Sequence, residues 1–511
     1  MLDQSRTPLL NALTNCTQQQ QAAFHTPGHK RGQGTTSHHQ LFGQLAFRAD
    51  LPELPELDNL FAPAGVIAEA QALAAQLFGA DKTWFLANGS TCGMEAAILA
   101  VTQPGEKIII PRNVHTSVIS GLILSGATPI YIAPDYSPIW DIPLAISPDT
   151  VAQALAKHAE AKAVVLVSPT YHGICSEVDA IAAITRQHNI PLIVDAAHGA
   201  HFAFHPALPT SALAAGADIV VHSTHKVLSA FTQAAMLHVQ GQRVDVARIS
   251  QALQLTQSTS PSYLLLGSLD AARHQMATAG EALMNQTIAL ADSATAEINA
   301  LEGLSVLQPH WTNHMTEDQN PINPTIGEAS KALVAQGDRT RLTVKVTGLN
   351  ITGFQADEAL HTRYCVTAEL PALYTLTFIV SLGNTEQDIS RLINGFKQLS
   401  QQRLPSKIAL TLINCAENVS FSEIELLNTA SDTITPRQAF FSPKRVLPSN
   451  QAIGKLCAET ICPYPPGIPL LLPGETITAS AIAQLKATLA AGGLITGCQD
   501  STLQTILTVA S

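Results

Sequence analysis

Two side chains in this sequence stand where chemistry is easiest to place. Lys226 closes Ser223-Thr224-His225-Lys226, directly after the apolar run Asp218–His222, and Asp195 closes Pro191-Leu192-Ile193-Val194-Asp195. A lysine there is either a solvated surface charge or an amine in a desolvated pocket, where its pKa falls and it can form a Schiff base. An aspartate ending a hydrophobic strand is partly buried, which is costly unless a cation or strong donors face the carboxylate. It is otherwise a common N-cap for a following helix.

Together the pair suits one division of labour. A protonated pyridine nitrogen is a cation that such an aspartate could hold. Pyridoxal phosphate chemistry needs that contact at one end of the ring and a Schiff-base lysine at the other. The third requirement is a phosphate cradle. Asn88-Gly89-Ser90-Thr91 leads into the helical stretch Met94–Val101, and a helix N-terminus attracts a dianion through unsatisfied N–H groups and its dipole. The same residues also make a plain turn and cap. Ser223 and His225 are further candidate phosphate donors. His115, in Arg112-Asn113-Val114-His115, is a candidate ring-stacking partner, against the alternative of an exposed loop histidine.

Something must position these groups. Short apolar runs at Thr83–Ala87, Lys107–Pro111, Pro129–Ile132, Ala163–Ser168, Pro191–Asp195, Asp218–His222 and Ala234–Val239 read as strands. Helical periodicity at Val66–Phe78, Ser147–Ala161 and Val178–His188 lies before and between them. Strands alternating with helices predict an α/β fold with a mostly parallel sheet covered on both faces. Ligands bind outside the carboxyl ends of such strands. The polar stretches Asn88–Thr91, Arg112–His115, Pro169-Thr170-Tyr171, Asp195-Ala196-Ala197-His198 and Ser223–Lys226 all fall there. Beyond residue 275 the pattern predicts a long helix over Ala279–Leu301. A smaller α+β unit follows, with strands near Arg341–Val346 and Tyr374–Leu382 and helices near Gln355–Leu360 and Glu386–Leu399. The polar linker Gln401–Lys407 and a Pro/Gly-rich C-terminal segment complete the chain.

Composition narrows the function classes. The 28 Lys+Arg against 39 Asp+Glu give a net charge of −11, which excludes a strongly basic nucleic-acid binder. Hydrophobic residues make up 46% and charged ones only 13%, a composition for burying a large core and not for disorder. The N-terminus lacks the basic and apolar regions of an export signal, and no apolar run approaches the roughly 20 residues of a membrane span. Cys16, Cys92, Cys175, Cys365, Cys415, Cys457, Cys462 and Cys498 show no CxxC or CxxH spacing. Neither a zinc site nor any other metal site is expected, and idle thiols in a reducing cytoplasm are.

The sequence resembles the Orn/Lys/Arg decarboxylases of the aspartate-aminotransferase-like fold (fold type I), in the short form without an N-terminal wing domain. The resemblance rests on His25-Thr-Pro-Gly-His-Lys-Arg-Gly32, Asp50-Leu-Pro-Glu-Leu-Pro-Glu-Leu-Asp58, Phe85–Thr91, Pro111–His115, Pro169–Tyr171, Asp195–His198 and Ser223–Lys226. It extends through Ser258-Thr-Ser-Pro-Ser-Tyr263 and Pro463-Tyr-Pro-Pro-Gly-Ile-Pro469 to Pro473-Gly-Glu475. It implies a seven-stranded, mostly parallel large domain with smaller α+β domains C-terminal to it. The implied division is an N-terminal segment 1–62, a cofactor-binding domain 63–290, a small domain 291–405 and a C-terminal domain 406–511.

The resemblance also implies roles. Lys226 would anchor pyridoxal 5'-phosphate, Asp195 would pair with its ring nitrogen, Ala197 would pack beneath the ring and His115 would stack above it. Ser90, Thr91, Ser223 and His225 would hold the phosphate, with Thr170 and His198 also lining the cofactor. Ser258 would complete the phosphate site from a neighbouring subunit, making a homodimer the minimal active unit. Many relatives read His-Lys-Ser where this chain has His115-Thr116-Ser117, so a nearby positive charge is absent. The expected reaction is decarboxylation of a basic L-amino acid, with arginine placed ahead of lysine and ornithine. Glu53, Glu56, Asp58, Glu369 and Glu459 are candidate readers of its distal charge, or solvated acids. The alternatives are transamination or aldol cleavage on the same fold, or a non-catalytic regulatory paralogue.

Overall fold

The computed structural model describes residues 2–35, 39–308, 337–401, 433–464 and 468–510. Most of the Gln401–Lys407 linker, the expected boundary at 405/406, Cys415 and Pro465-Pro466-Gly467 lie outside the described residues.

A seven-stranded sheet forms the centre of the chain. Its strands are β1 (Lys82–Leu86), β2 (Lys107–Pro111), β3 (Thr128–Ile132), β4 (Val164–Val167), β5 (Leu192–Asp195), β6 (Ile219–His222) and β7 (Ala235–Val239), in the order β1-β7-β6-β5-β4-β2-β3. All neighbours are parallel except β7, which runs antiparallel to β1 and β6. Along β5, Leu192 and Val194 enter one core and Ile193 the other. Apolar residues at period 2 thus bury both faces, as a parallel sheet between helices requires. The expected strand runs all appear, within a residue or two at each end.

Helices cover the sheet. α1 (Pro8–Gln18) precedes α2 (Val66–Phe78), which stops at Gly79 in the left-handed region (φ 80°), a conformation glycine adopts without Cβ strain. α3 (Gly89–Val101) and α4 (Thr116–Ser125) follow β1 and β2, and α5 (Pro148–Lys157) and α6 (Val178–Gln187) precede β4 and β5. α7 (Val246–Thr256) leads into α8 (Tyr263–Asn299), a single 37-residue helix. The sequence pattern placed its start at Ala279. The true start is earlier because Tyr263, Leu266 and Leu269 already pack on the large core. α8 then continues through residue 290 into the next core with Leu290, Ala291, Ala294 and Ile298. It also anchors the N-terminus: Asp270 Oδ2 accepts the Leu9 and Leu10 N–H groups at 3.0 and 3.2 Å, and Arg273 pairs with Asp270 at 2.5 Å, both side chains fully buried.

A four-stranded antiparallel sheet makes the smaller unit: β8 (Ser305–Val306), β9 (Arg341–Lys345), β10 (Leu370–Pro371) and β11 (Thr375–Ile379), in the order β8-β9-β11-β10. It packs under α9 (Gly353–Tyr364) and α10 (Glu386–Gln401) through Leu360, Leu392 and Phe396. The C-terminal unit has two antiparallel ribbons, β12 (Lys444–Pro448) with β15 (Thr505–Val509) and β13 (Cys462–Tyr464) with β14 (Leu494–Thr496). Helix α11 (Ala479–Ala490) closes over its separate core. No helix of the described residues is long and apolar enough to cross a membrane.

Candidate active site

The carboxyl ends of β1, β2, β4, β5 and β6 share one edge of the sheet, and the polar stretches read from the sequence emerge there. Asp195 is the last residue of β5, in register with Val167 of β4 and Val221 of β6. No helix starts after it, so the N-cap alternative fails. Its Oδ1 instead accepts the Ala197 N–H at 3.1 Å in a tight turn. Burial pushes its carboxyl pKa up, opposed by the charges of His115 and Lys226. A buried carboxylate without an ion pair among the described residues fits a cationic ring nitrogen.

Lys226 lies in the short helix Thr224–Val227 after β6. It is partly buried rather than solvated, and burial pulls its ammonium pKa down. Nζ lies 3.1 Å from His198 Nε2 and 5.5 Å above the centroid of the Tyr171 ring. Tyr171 and His198 pack against each other with centroids 4.8 Å apart. His115 caps α4, its Nδ1 accepting the Ser117 N–H at 3.2 Å. Burial lowers its pKa, against the charge of Asp195. The residues at 116 and 117, where a positive charge is absent, therefore build the start of α4, and Ser117 fixes the ring.

The cradle is physically present. α3 begins at Gly89, earlier than the expected Met94, and Gly89 has φ 79°. Asn88 makes no side-chain cap, so the first-turn N–H groups lack an oxygen partner from it. Ser223 Oγ donates to Ser90 Oγ at 2.7 Å across that helix end, and Thr91 is exposed beside it. Two hydroxyls at an uncapped helix N-terminus without acidic first-turn residues suit a phosphate. Ser258 donates its N–H to Asn88 Oδ1 of the same chain at 3.3 Å, which puts it on the rim of its own cradle. His225 is partly buried, and its pKa is lowered by burial and by Lys226. Thr170 is turned into the fold, its Oγ1 accepting the Ile174 N–H at 3.2 Å.

Sequence reasoning missed the small unit's contribution. Arg341, at the start of β9, is buried and donates from Nη2 to His198 Nδ1 at 2.9 Å. Asp338 lies 3.6 Å from Arg341 Nε and 3.1 Å from His201 Nε2, while its Oδ1 accepts from the Thr340 N–H and hydroxyl at 2.9 and 2.6 Å. A charged residue starting an otherwise alternating strand was the available signal.

The acidic candidates separate. Asp58 accepts N–H groups from Asn59, Ala64, Gly65, Ile67 and Ala68, holding the entry to α2, and that hydrogen bonding lowers its pKa despite partial burial. Glu53 binds Asn59 Nδ2 at 2.8 Å. Glu459 accepts the Gln499 and Leu507 N–H groups inside the C-terminal unit. Glu369, exposed beside β10, bears on Lys226, Arg341 and Tyr171 through its charge. Finally, Arg112 reaches from the His115 loop to the C-terminal unit, donating to the Pro469 and Leu470 carbonyls at 2.8 and 2.9 Å and to Glu475 Oε2 at 2.9 Å.

Comparison with known proteins agrees with this architecture. A family model described as Orn/Lys/Arg decarboxylase, major domain, matches residues 7–387, and the corresponding C-terminal domain matches 430–497. The chain is 37% identical over 508 residues to the arginine decarboxylase of Halalkalibacterium halodurans, covering 99% of this chain and 98% of that protein. It is 36% identical over 506 residues to the arginine decarboxylase of Bacillus subtilis, with 99% and 98% covered. The crystal structure of the Francisella novicida lysine decarboxylase LdcF superposes with a TM-score of 0.83 at 22% identity, over 99% of this chain and 81% of that one, a likeness of fold. Matched along most of its length by both domain models and placing its lysine, aspartate and histidine on one sheet edge, this chain belongs to the Orn/Lys/Arg decarboxylase family.

Proposed function

We propose that the protein decarboxylates a basic L-amino acid, arginine ahead of lysine and ornithine, using pyridoxal 5'-phosphate. The observation that carries the reading is the joint placement of Lys226, Asp195 and the Ser90–Ser223 cradle on one sheet edge. The 36–37% identity to proteins named arginine decarboxylase supports the order of substrates. When bound, pyridoxal phosphate supplies the electron sink for the pair left by a departing carboxylate.

The chain's own residues do the rest. Ser90, Thr91, Ser223, His225 and the α3 N-terminus hold the phosphate, with Ser258 at the rim. Asp195 keeps a proton on the ring nitrogen by offering it a buried counter-charge. Ala197 and His115 would hold the ring between them, with His198 beside Lys226 and Thr170 supporting the loop that carries Tyr171. Lys226 would hold the cofactor through its Nζ and, as a free amine, would carry the proton that replaces the departing carboxylate at Cα of the substrate. Tyr171 would cover Lys226 on one side, its ring centroid 5.5 Å from Nζ.

The four-part division of the chain belongs to this proposal; separate cores support the large, small and C-terminal units, while the N-terminal segment shares the large core through Leu9, Leu13 and Leu57. A homodimer with sites at the interface belongs to it too. Phe231, five residues after Lys226, is 57% exposed, and Leu255, near Ser258, is 81% exposed. Large apolar side chains open beside a site suit a second copy. The described cysteines are all free, which supports a cytoplasmic location.

The test is an assay of purified protein with pyridoxal phosphate on arginine, lysine and ornithine, with CO2 and amine both measured. Borohydride should fix the cofactor at Lys226. Keto-acid product in place of CO2 would favour transamination. No CO2 from any of the three would overturn the reading.

A further inference from the structure

The contact between Arg341 and Lys226 runs through one imidazole, and its polarity is forced. A guanidinium has only donors, so His198 Nδ1, 2.9 Å from Arg341 Nη2, presents its lone pair. His198 is fully buried among Arg341, Lys226, His115 and His201, and burial followed by those charges holds it neutral. A neutral imidazole with a bare Nδ1 carries its proton on Nε2. That N–H points at Lys226 Nζ, 3.1 Å away. An ammonium has three donors and no acceptor and would set N–H against N–H there. Lys226 could donate to Nε2 only if Nδ1 took the proton, which would set that N–H against the guanidinium.

We propose that Arg341 is a positioning residue which, acting through His198, holds Lys226 as the free amine. The proposal deepens the role given to Lys226 above and rests on it: a free amine is the form that attacks a carbonyl or takes a proton. Asp338 offers the guanidinium a buried counter-charge, its Oδ2 3.6 Å from Arg341 Nε and 3.1 Å from His201 Nε2, while Thr340 hydrogen-bonds its Oδ1. The groups facing Lys226 are divided. Asp195, Glu369 and the Tyr171 ring favour a charged Nζ, whereas burial, Arg341, and the nearby His115 and His225 do not. The hydrogen-bond direction decides between them.

The test uses the full-length chain without cofactor, acylated competitively with acetic anhydride across a pH series, the Lys226 peptide being read against exposed lysines by mass spectrometry. Lys226 should react as a free amine at neutral pH, its midpoint lying well below that of the exposed lysines in the same sample, and a midpoint equal to theirs would overturn the proposal. His198→Met keeps the charge of Arg341 but offers no N–H, and should raise the midpoint by roughly half a unit to one unit, a three- to tenfold loss of reactive amine at fixed pH. His198→Gln can turn its oxygen to Arg341 and its NH2 to Lys226, and should restore the wild-type midpoint. An unmoved midpoint in His198→Met would overturn the proposal, since burial and charge alone would then account for Lys226. Should that variant not fold, 15N spectra of the wild-type chain decide independently: a proton on Nε2 of His198 is expected, and one on Nδ1 overturns the proposal. The labelling uses neither cofactor nor substrate, so a failed decarboxylase assay leaves it standing and the two readings fail separately.

Discussion

Arg112 and Glu475 stand 363 residues apart and meet at 2.9 Å, joining the loop that carries His115 to the C-terminal unit. The guanidinium is also held by the Pro469 and Leu470 carbonyls and lies over the Tyr131 ring at 5.8 Å, while Glu475 Oε2 accepts the Leu472 N–H at 2.9 Å. With Arg112 7% exposed, little water can replace a lost partner. Glu475→Ala should therefore cost about 1–3 kcal/mol in urea unfolding and weaken pyridoxal phosphate binding, because the His115 loop loses its brace. Glu475→Gln should recover most of the stability. Equal cofactor affinity in wild type and Glu475→Ala would separate the clamp from the site.

Lys226→Ala should reduce CO2 release to background and abolish borohydride fixation of the cofactor, with the fold retained by circular dichroism. Asp195→Asn keeps shape but removes the buried counter-charge. A fall in kcat of about 10²–10³-fold is expected, the scale of removing one preorganised electrostatic partner. Full turnover in either variant would refute the assigned role.

Acid should destabilise the large unit through buried neutral histidines. Burial pulls His222 down to about 3 and His172 to about 4 from 6.5, and His238 also falls well below it. Below pH 6.5 the unfolded chain binds protons that these folded sites refuse, so stability present above 6.5 is lost as pH falls toward 4 and 3. Each contributes a slope of up to about 1.4 kcal/mol per pH unit. The His222 ring packs 5.4 Å from Phe78 and 4.8 Å from His238, and among the described residues its Nδ1 has no hydrogen-bond partner. His222→Phe should flatten the slope of urea midpoint against pH; an unchanged slope would exclude His222 as its source.

Glu369 is the exposed carboxylate whose charge reaches Lys226, Arg341 and Tyr171 together. Glu369→Gln should raise KM for a cationic substrate about three- to tenfold with kcat nearly kept, the pattern of a ground-state contact. The effect should shrink as salt is added, because an exposed charge is screened. A salt-independent loss of kcat would place Glu369 elsewhere in the mechanism.

Lys226, Asp195, His115, Ser90 and Ser223 were legible because each follows a short apolar run, and the carboxyl end of a buried strand tells where its next residues go. Arg341 was not, since it meets His198, 143 positions away in the turn that follows β5. Arg112 was visible as part of a motif while its partners lay hundreds of residues on. Asp58 looked like a substrate reader in an acidic run, yet its oxygens are taken by the backbone ahead of α2. Local pattern reports which residues leave a strand together; long-range pairing decides which of them touch.

α8 sets how the two halves of the site can move. Its 37 residues would extend about 55 Å at 1.5 Å per residue, and its side chains enter the large core at one end and the small core at the other. A helix has no loose joint along its length, so Arg341 cannot swing away from His198 about a pivot at residue 290. Any opening of the small unit has to flex this beam elastically, as a leaf spring does. The spacing between the two sheets is therefore tied to the bending stiffness of α8.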